Sequence, residues 1–129
     1  MLTILCIDDD PDILATREVV LRAEGFHVLT ANTGTKGLAL ANGYAIDLVV
    51  LDYSMPDMSG EEVARVLREQ FPAMPIVLCS GYDVPESAFK QVDAFVAKAD
   101  VPEFLVMTIK SVIGRKKPPK RQQRLGRTG

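Results

Sequence analysis

Histidine and cysteine are scarce in this 129-residue chain, which carries one histidine, His27, and two cysteines, Cys6 and Cys79. Both cysteines sit inside apolar runs, which predicts buried, reduced thiols rather than a disulfide. His27 falls in a mixed, edge-like strand away from the acidic residues, so it is expected on the surface, and no Ser–His–Asp nucleophile can be assembled. No apolar run approaches the ~20 residues of a membrane-spanning helix. The N-terminus has no basic lead, and its short apolar run ends in three aspartates, unlike a secretory signal. No glycine-rich phosphate loop follows the first strand, which removes the warrant for dinucleotide binding. The expectation is one cytoplasmic domain without a membrane contact.

What is present is divided by charge. Apolar residues make up 47% of the chain, an ordinary share for a packed globule and too high for a disordered one. Residues 1–113 hold all 17 acids and only 8 of the 15 bases, a net charge of −9. Residues 114–129 hold the other 7 bases, two adjacent prolines and no aromatic residue. This segment is expected to be a linker or disordered tail, without a specific nucleic-acid target.

Within 1–113, short apolar runs alternate with helical patterns. Strands are predicted at Leu2–Ile7, Phe26–Ala31, Ile46–Leu51, Ile76–Cys79 and Ala94–Ala97. Four are nearly continuous in apolar residues, as strands covered on both faces are, and Phe26–Ala31 reads as an edge. Asp10 followed by Pro11 starts a helix whose apolar face includes Ile13, Leu14, Val20 and Leu21, and Gly25 ends it. Ser59 with Glu62 and Asp100 with Glu103 predict capping boxes, and Gly114 is expected to stop the last helix. Weaker helices are expected at 33–42 and 84–90. The alternation implies an α/β fold: a five-stranded parallel sheet with helices on both faces.

Chemistry collects where the strands end. Asp8 and Asp9 follow the first strand, Asp52 the third, Ser80 the fourth and Lys98 the fifth. The carboxyl ends of parallel strands share one edge, where ligands bind. An Asp after a strand is most often a helix cap, and Asp10 fills that role, leaving Asp8 and Asp9 over. Three clustered carboxylates repel by about 4 kcal/mol per pair at 4 Å and an effective dielectric near 20. Either protons or a cation must relieve them, and an all-oxygen donor set suits Mg²⁺. A hard metal beside a carboxylate, an ammonium and a hydroxyl can stabilise a phosphoryl group in transfer.

The segments IDDDP at Ile7–Pro11 and LDYSMPDMSG at Leu51–Gly60, with Ser80 and Lys98, resemble the receiver domain of bacterial two-component response regulators. The resemblance spans residues 2–113. It implies a flavodoxin-like, doubly wound (βα)5 fold with Asp52 as phosphoacceptor. It implies Mg²⁺ held by Asp9 directly, Asp8 through water, Asp52, and the backbone carbonyl of Ser54. Ser80 and Lys98 would contact the phosphoryl group, and Phe95 would turn inward as Ser80 moves. The implied partners are a histidine kinase or histidine phosphotransfer protein and an unidentified downstream effector, and a phosphorylation-dependent homodimer is admitted. Chemistry would be limited to gain and loss of the domain's own phosphoryl group.

Two positions depart from the family pattern. Ala99 follows Lys98 where proline in a cis peptide is usual, so a trans bond is expected. Phe95 lacks the hydroxyl a tyrosine would bring. Two rival readings are a receiver cut from a hybrid kinase or larger regulator, and a small Mg²⁺-dependent phosphohydrolase using Asp52 as nucleophile.

Overall fold

The computed structural model describes residues 1–81 and 84–116. The elements run β1 (Thr3–Ile7), α1 (Pro11–Ala23), β2 (His27–Ala31), α2 (Gly34–Gly43), β3 (Leu48–Leu51), α3 (Gly60–Gln70), β4 (Ile76–Ser80), β5 (Ala94–Ala97) and α4 (Pro102–Lys116). A 3-10 turn, Glu86–Phe89, lies between β4 and β5. All strand pairs are parallel, in the order β2-β1-β3-β4-β5, the flavodoxin-like doubly wound arrangement. The mixed strand β2 is indeed an edge, and His27 at its start is exposed.

Alternation along the strands builds two cores. On one face Ile4, Cys6, Leu48, Val50, Val77, Cys79 and Val96 pack with Leu14, Leu21, Leu105, Ile109 and Val112 from α1 and α4. On the other, Leu5, Ile7, Val49, Leu51, Ile76 and Leu78 pack with Ala41, Val63, Ala64 and Leu67 from α2 and α3. Successive side chains of a strand point to opposite faces, so a fully covered strand must be apolar throughout. Both cysteines are free and buried, and burial pushes the Cys6 thiol up to about 12.

The helix starts at Asp10 and Ser59 follow the expected chemistry. The Asp10 carboxylate accepts from the Asp12 and Ile13 amides, and Ser59 and Glu62 form a reciprocal capping box. Gly25 closes α1 at φ +94°, a conformation that favours glycine. Three local expectations are corrected. The helix expected at 84–90 tightens to one 3-10 turn, because Ala88, Lys90 and Val92 donate to carbonyls three residues back. Asp100 does not cap the last helix: its carboxylate accepts from the Ala97 amide at 3.2 Å, and Pro102 opens α4. Gly114 does not stop α4, which runs on to Lys116 with Val112 anchored in the core. The rest of the expected tail, 117–129, lies outside the described residues. Among the described residues no helix is long and apolar enough to cross a membrane.

Candidate functional site

The same alternation that fills the first core aims charge past the strand ends. In β1, Ile4 and Cys6 face α1 and α4, and the next residue of that register is Asp8. In β3 the series Leu48, Val50 leads to Asp52, and in β5 Val96 leads to Lys98. Strand register sets them level, since Ile7 pairs with Leu51 and the Asp52 amide donates to the Ile7 carbonyl at 3.0 Å. The Lys98 amide donates to the Ser80 carbonyl at 2.9 Å, tying the ends of β4 and β5.

Asp8 is 0% and Asp52 2% exposed, while Asp9 faces solvent. One carboxylate oxygen from each of the three lies within 4.8 Å of the others. The Lys98 ammonium bridges two of them, 3.1 Å from Asp8 Oδ2 and 3.3 Å from Asp52 Oδ2. Asp8 Oδ1 also accepts from the Asp10 amide at 2.9 Å. Burial, then the neighbouring Asp8 charge, pushes the Asp52 carboxyl above its ordinary value, against the pull of Lys98. Burial works against the Lys98 ammonium, but its hydrogen bond to Asp8 and the charges of Asp8 and Asp52 outweigh that and raise its pKa. An all-oxygen set with one solvent-facing carboxylate fits a hard divalent cation that keeps part of its water shell.

Of the other predicted residues, Ser80 is 2% exposed at the end of β4, and Ser54 is exposed in the loop two residues past Asp52. Phe95 is 37% exposed and packs edge-on against Phe89, with ring centroids 5.5 Å apart at 77°. It therefore stands outside the charged cluster. The Lys98–Ala99 peptide is trans, as expected. Met55 and Met58 pack against the second core.

Two residues escaped the sequence reading. Arg17 of α1 is 7% exposed, with Nη1 at 3.3 Å from Asp8 Oδ2 and Nη2 donating to Cys79 Sγ at 2.9 Å. Its signal was spacing: Leu14, Arg17 and Leu21 share the buried stripe of the helix. Asp57, in the loop after Asp52, accepts from the Gly34 amide at 3.0 Å, the Thr35 amide at 2.9 Å and the Thr35 hydroxyl at 2.7 Å. This ties the loop to the first turn of α2. Those hydrogen bonds, the Thr35 amide foremost, lower the Asp57 carboxyl from 3.8 to about 2. A depressed carboxyl adds stability above its unfolded value and loses it as pH falls through the folded one. Asp57→Ala is thus expected to lower the thermal midpoint at neutral pH, with the gap to wild type closing between 3.8 and about 2. Melting curves across that range check this, and a gap independent of pH would contradict it.

Comparison with known proteins agrees with this geometry. A family model described as the response regulator receiver domain matches residues 4–106. The cell cycle transcriptional regulator CtrA of Caulobacter vibrioides is 34% identical over 118 residues, covering 88% of this chain and 51% of that protein. The chain spans about half the length of the curated relatives it matches. Among solved structures, a CheY-like receiver domain protein from Methanospirillum hungatei superposes with a TM-score of 0.87 at 29% identity, covering 91% of this chain and 97% of that one. The response regulator TrrA of Thermotoga maritima, in complex with Mg²⁺ and BeF, superposes with a TM-score of 0.82 at 32% identity, covering 87% and 99%.

Proposed function

The chain belongs to the response regulator receiver family of two-component signalling, and from that premise we propose that Asp52 is its phosphoacceptor. It is a non-enzymatic signalling module, with Mg²⁺ at the cluster of Asp8, Asp9 and Asp52. The observation that carries the assignment is the Lys98 ammonium, held between buried Asp8 and buried Asp52 at the open edge of the sheet. An Asp52 oxygen attacks the phosphorus of the donor in line, and the leaving nitrogen of a phosphohistidine keeps the electron pair of the broken P–N bond. Lys98 and the Ser80 hydroxyl take up the charge that gathers on the phosphoryl oxygens. Asp9 would hold the metal directly, Asp8 would act through water, and the Ser54 carbonyl would add an oxygen. The bound Mg²⁺ supplies positive charge that lowers the repulsion between carboxylate and phosphoryl group.

Receiver domains interact with histidine kinases, and a histidine kinase or phosphotransfer protein is the donor we assign. A partner of that class supports a cytoplasmic location for the domain. Phosphorylation then changes its affinity for an effector, Phe95 turning inward as Ser80 closes on the phosphoryl group. The receiver unit, expected at residues 1–113, extends to Lys116 at the end of α4, with the remaining basic residues as tail or linker.

Beryllofluoride, which mimics a phosphoryl group on a carboxylate, tests the reading. With Mg²⁺ it is expected to raise the thermal midpoint well beyond the effect of Mg²⁺ alone. No further rise, or an equal rise in Asp52→Ala, would contradict the assignment.

A further inference from the structure

Asp8 is wholly buried and has two cations, one of which the phosphoryl chemistry must draw away. Lys98 Nζ lies 3.1 Å from Asp8 Oδ2 and 3.3 Å from Asp52 Oδ2. Once Asp52 carries a phosphoryl group, the ammonium gains a more highly charged partner on that side. Asp8 then loses much of its hold on Lys98, and with the metal reaching it only through water, Arg17 is, among the described residues, the one side-chain cation left in direct contact with this buried carboxylate.

Arg17 is built to remain. It comes from α1 rather than from a strand end, and its side chain is 8% exposed. One arm of the guanidinium reaches Asp8 Oδ2 at 3.3 Å, and the other donates to Cys79 Sγ at 2.9 Å in the core below. The planar fork pins the group at two points, and a guanidinium keeps its charge. Asp8 orientation does not depend on Arg17 alone, since the Asp10 amide holds Oδ1 at 2.9 Å. Charge is therefore its particular contribution.

We propose that Arg17 is a positioning residue acting through Asp8: it stays as the counter-ion of that carboxylate when Lys98 turns to the phosphoryl group on Asp52. It thereby favours the phosphorylated form over the free form. This rests on the receiver reading of the site.

The test compares the full chain with Arg17→Met and Arg17→Lys, titrating Mg²⁺ alone and then beryllofluoride in saturating Mg²⁺. Removing a positive charge beside the cation site leaves Mg²⁺ affinity unchanged or tighter. Beryllofluoride affinity is expected to fall by about 10-fold or more in Arg17→Met, because removing one partner of a buried ion pair leaves the other charge uncompensated. Arg17→Lys recovers most of that loss. A merely structural role would weaken both titrations together, and that result overturns the proposal, as does wild-type beryllofluoride affinity in Arg17→Met. Should Arg17→Met not fold, nitrogen NMR of the wild-type Arg17 guanidinium decides. Its protons stay protected with beryllofluoride bound if it holds Asp8, and their loss would overturn the idea. Wild type that takes no beryllofluoride would instead sink the receiver reading itself.

Discussion

Gly60→Ala is expected to destabilise the domain by about 3 kcal/mol, the upper range for overpacking a close contact. For a domain of this size that is a fall of ~10 °C in thermal midpoint. Gly60 is the first residue of α3, and its amide donates to the Tyr53 carbonyl at 2.6 Å, folding the loop after Asp52 back on itself. A β-carbon there would collide with the Asp52 carbonyl oxygen and sit 2.7 Å from the Tyr53 α-carbon. Both obstacles are backbone, so no side-chain rotation relieves them, and the loop must move and take the Asp52 carboxylate with it. Thermal melts of the two proteins, followed by beryllofluoride titration, check both effects. A midpoint and an affinity equal to wild type would contradict the close packing described.

Asp52→Asn is expected to abolish phosphoryl uptake while making the free domain more stable at neutral pH. Burial and the charge of Asp8 raise the Asp52 pKa in the fold, so the folded protein binds this proton more tightly than the unfolded chain. Stability therefore drops as pH rises from the unfolded carboxylate value through the folded one. Asparagine keeps the shape, removes the charge, and leaves Lys98 paired with Asp8. A gain of about 1 kcal/mol is the usual scale for relieving a functional site of its strain. Urea midpoints at neutral and acid pH read the effect. The advantage of Asp52→Asn should shrink below the ordinary aspartate range, and a variant less stable at neutral pH would contradict the account.

Much of the architecture was legible because local chemistry and burial agreed. The apolar runs of β1, β3 and β4 read as strands covered on both faces and that of β5 as a further parallel strand, and the residues just beyond parallel strands meet at one edge. Asp8, Asp9, Asp52 and Lys98 were visible for that reason. Arg17 was not, because a charged residue on a helix reads as a solvated one until its buried partners are known. Its place between Leu14 and Leu21 was the available clue. Asp57 was hidden by distance along the chain, since the amides it accepts from lie 22 and 23 residues earlier. The 3-10 turn at Glu86–Phe89 and the role of Asp100 were misjudged where several backbone bonding patterns suit the same residues. Propensity does not decide between an i−3 and an i−4 partner in so short a connection.

Every role assigned to the site depends on a phosphoryl group going to Asp52. Incubating the full chain with Mg²⁺ and phosphoramidate, then mapping the acyl phosphate by peptide mass spectrometry, tests it most directly. One phosphoryl group is expected, on the peptide containing Asp52, with no label when the metal is chelated beforehand and none in Asp52→Asn. The same amount of label in Asp52→Asn, or label on a peptide that lacks Asp52, would contradict it.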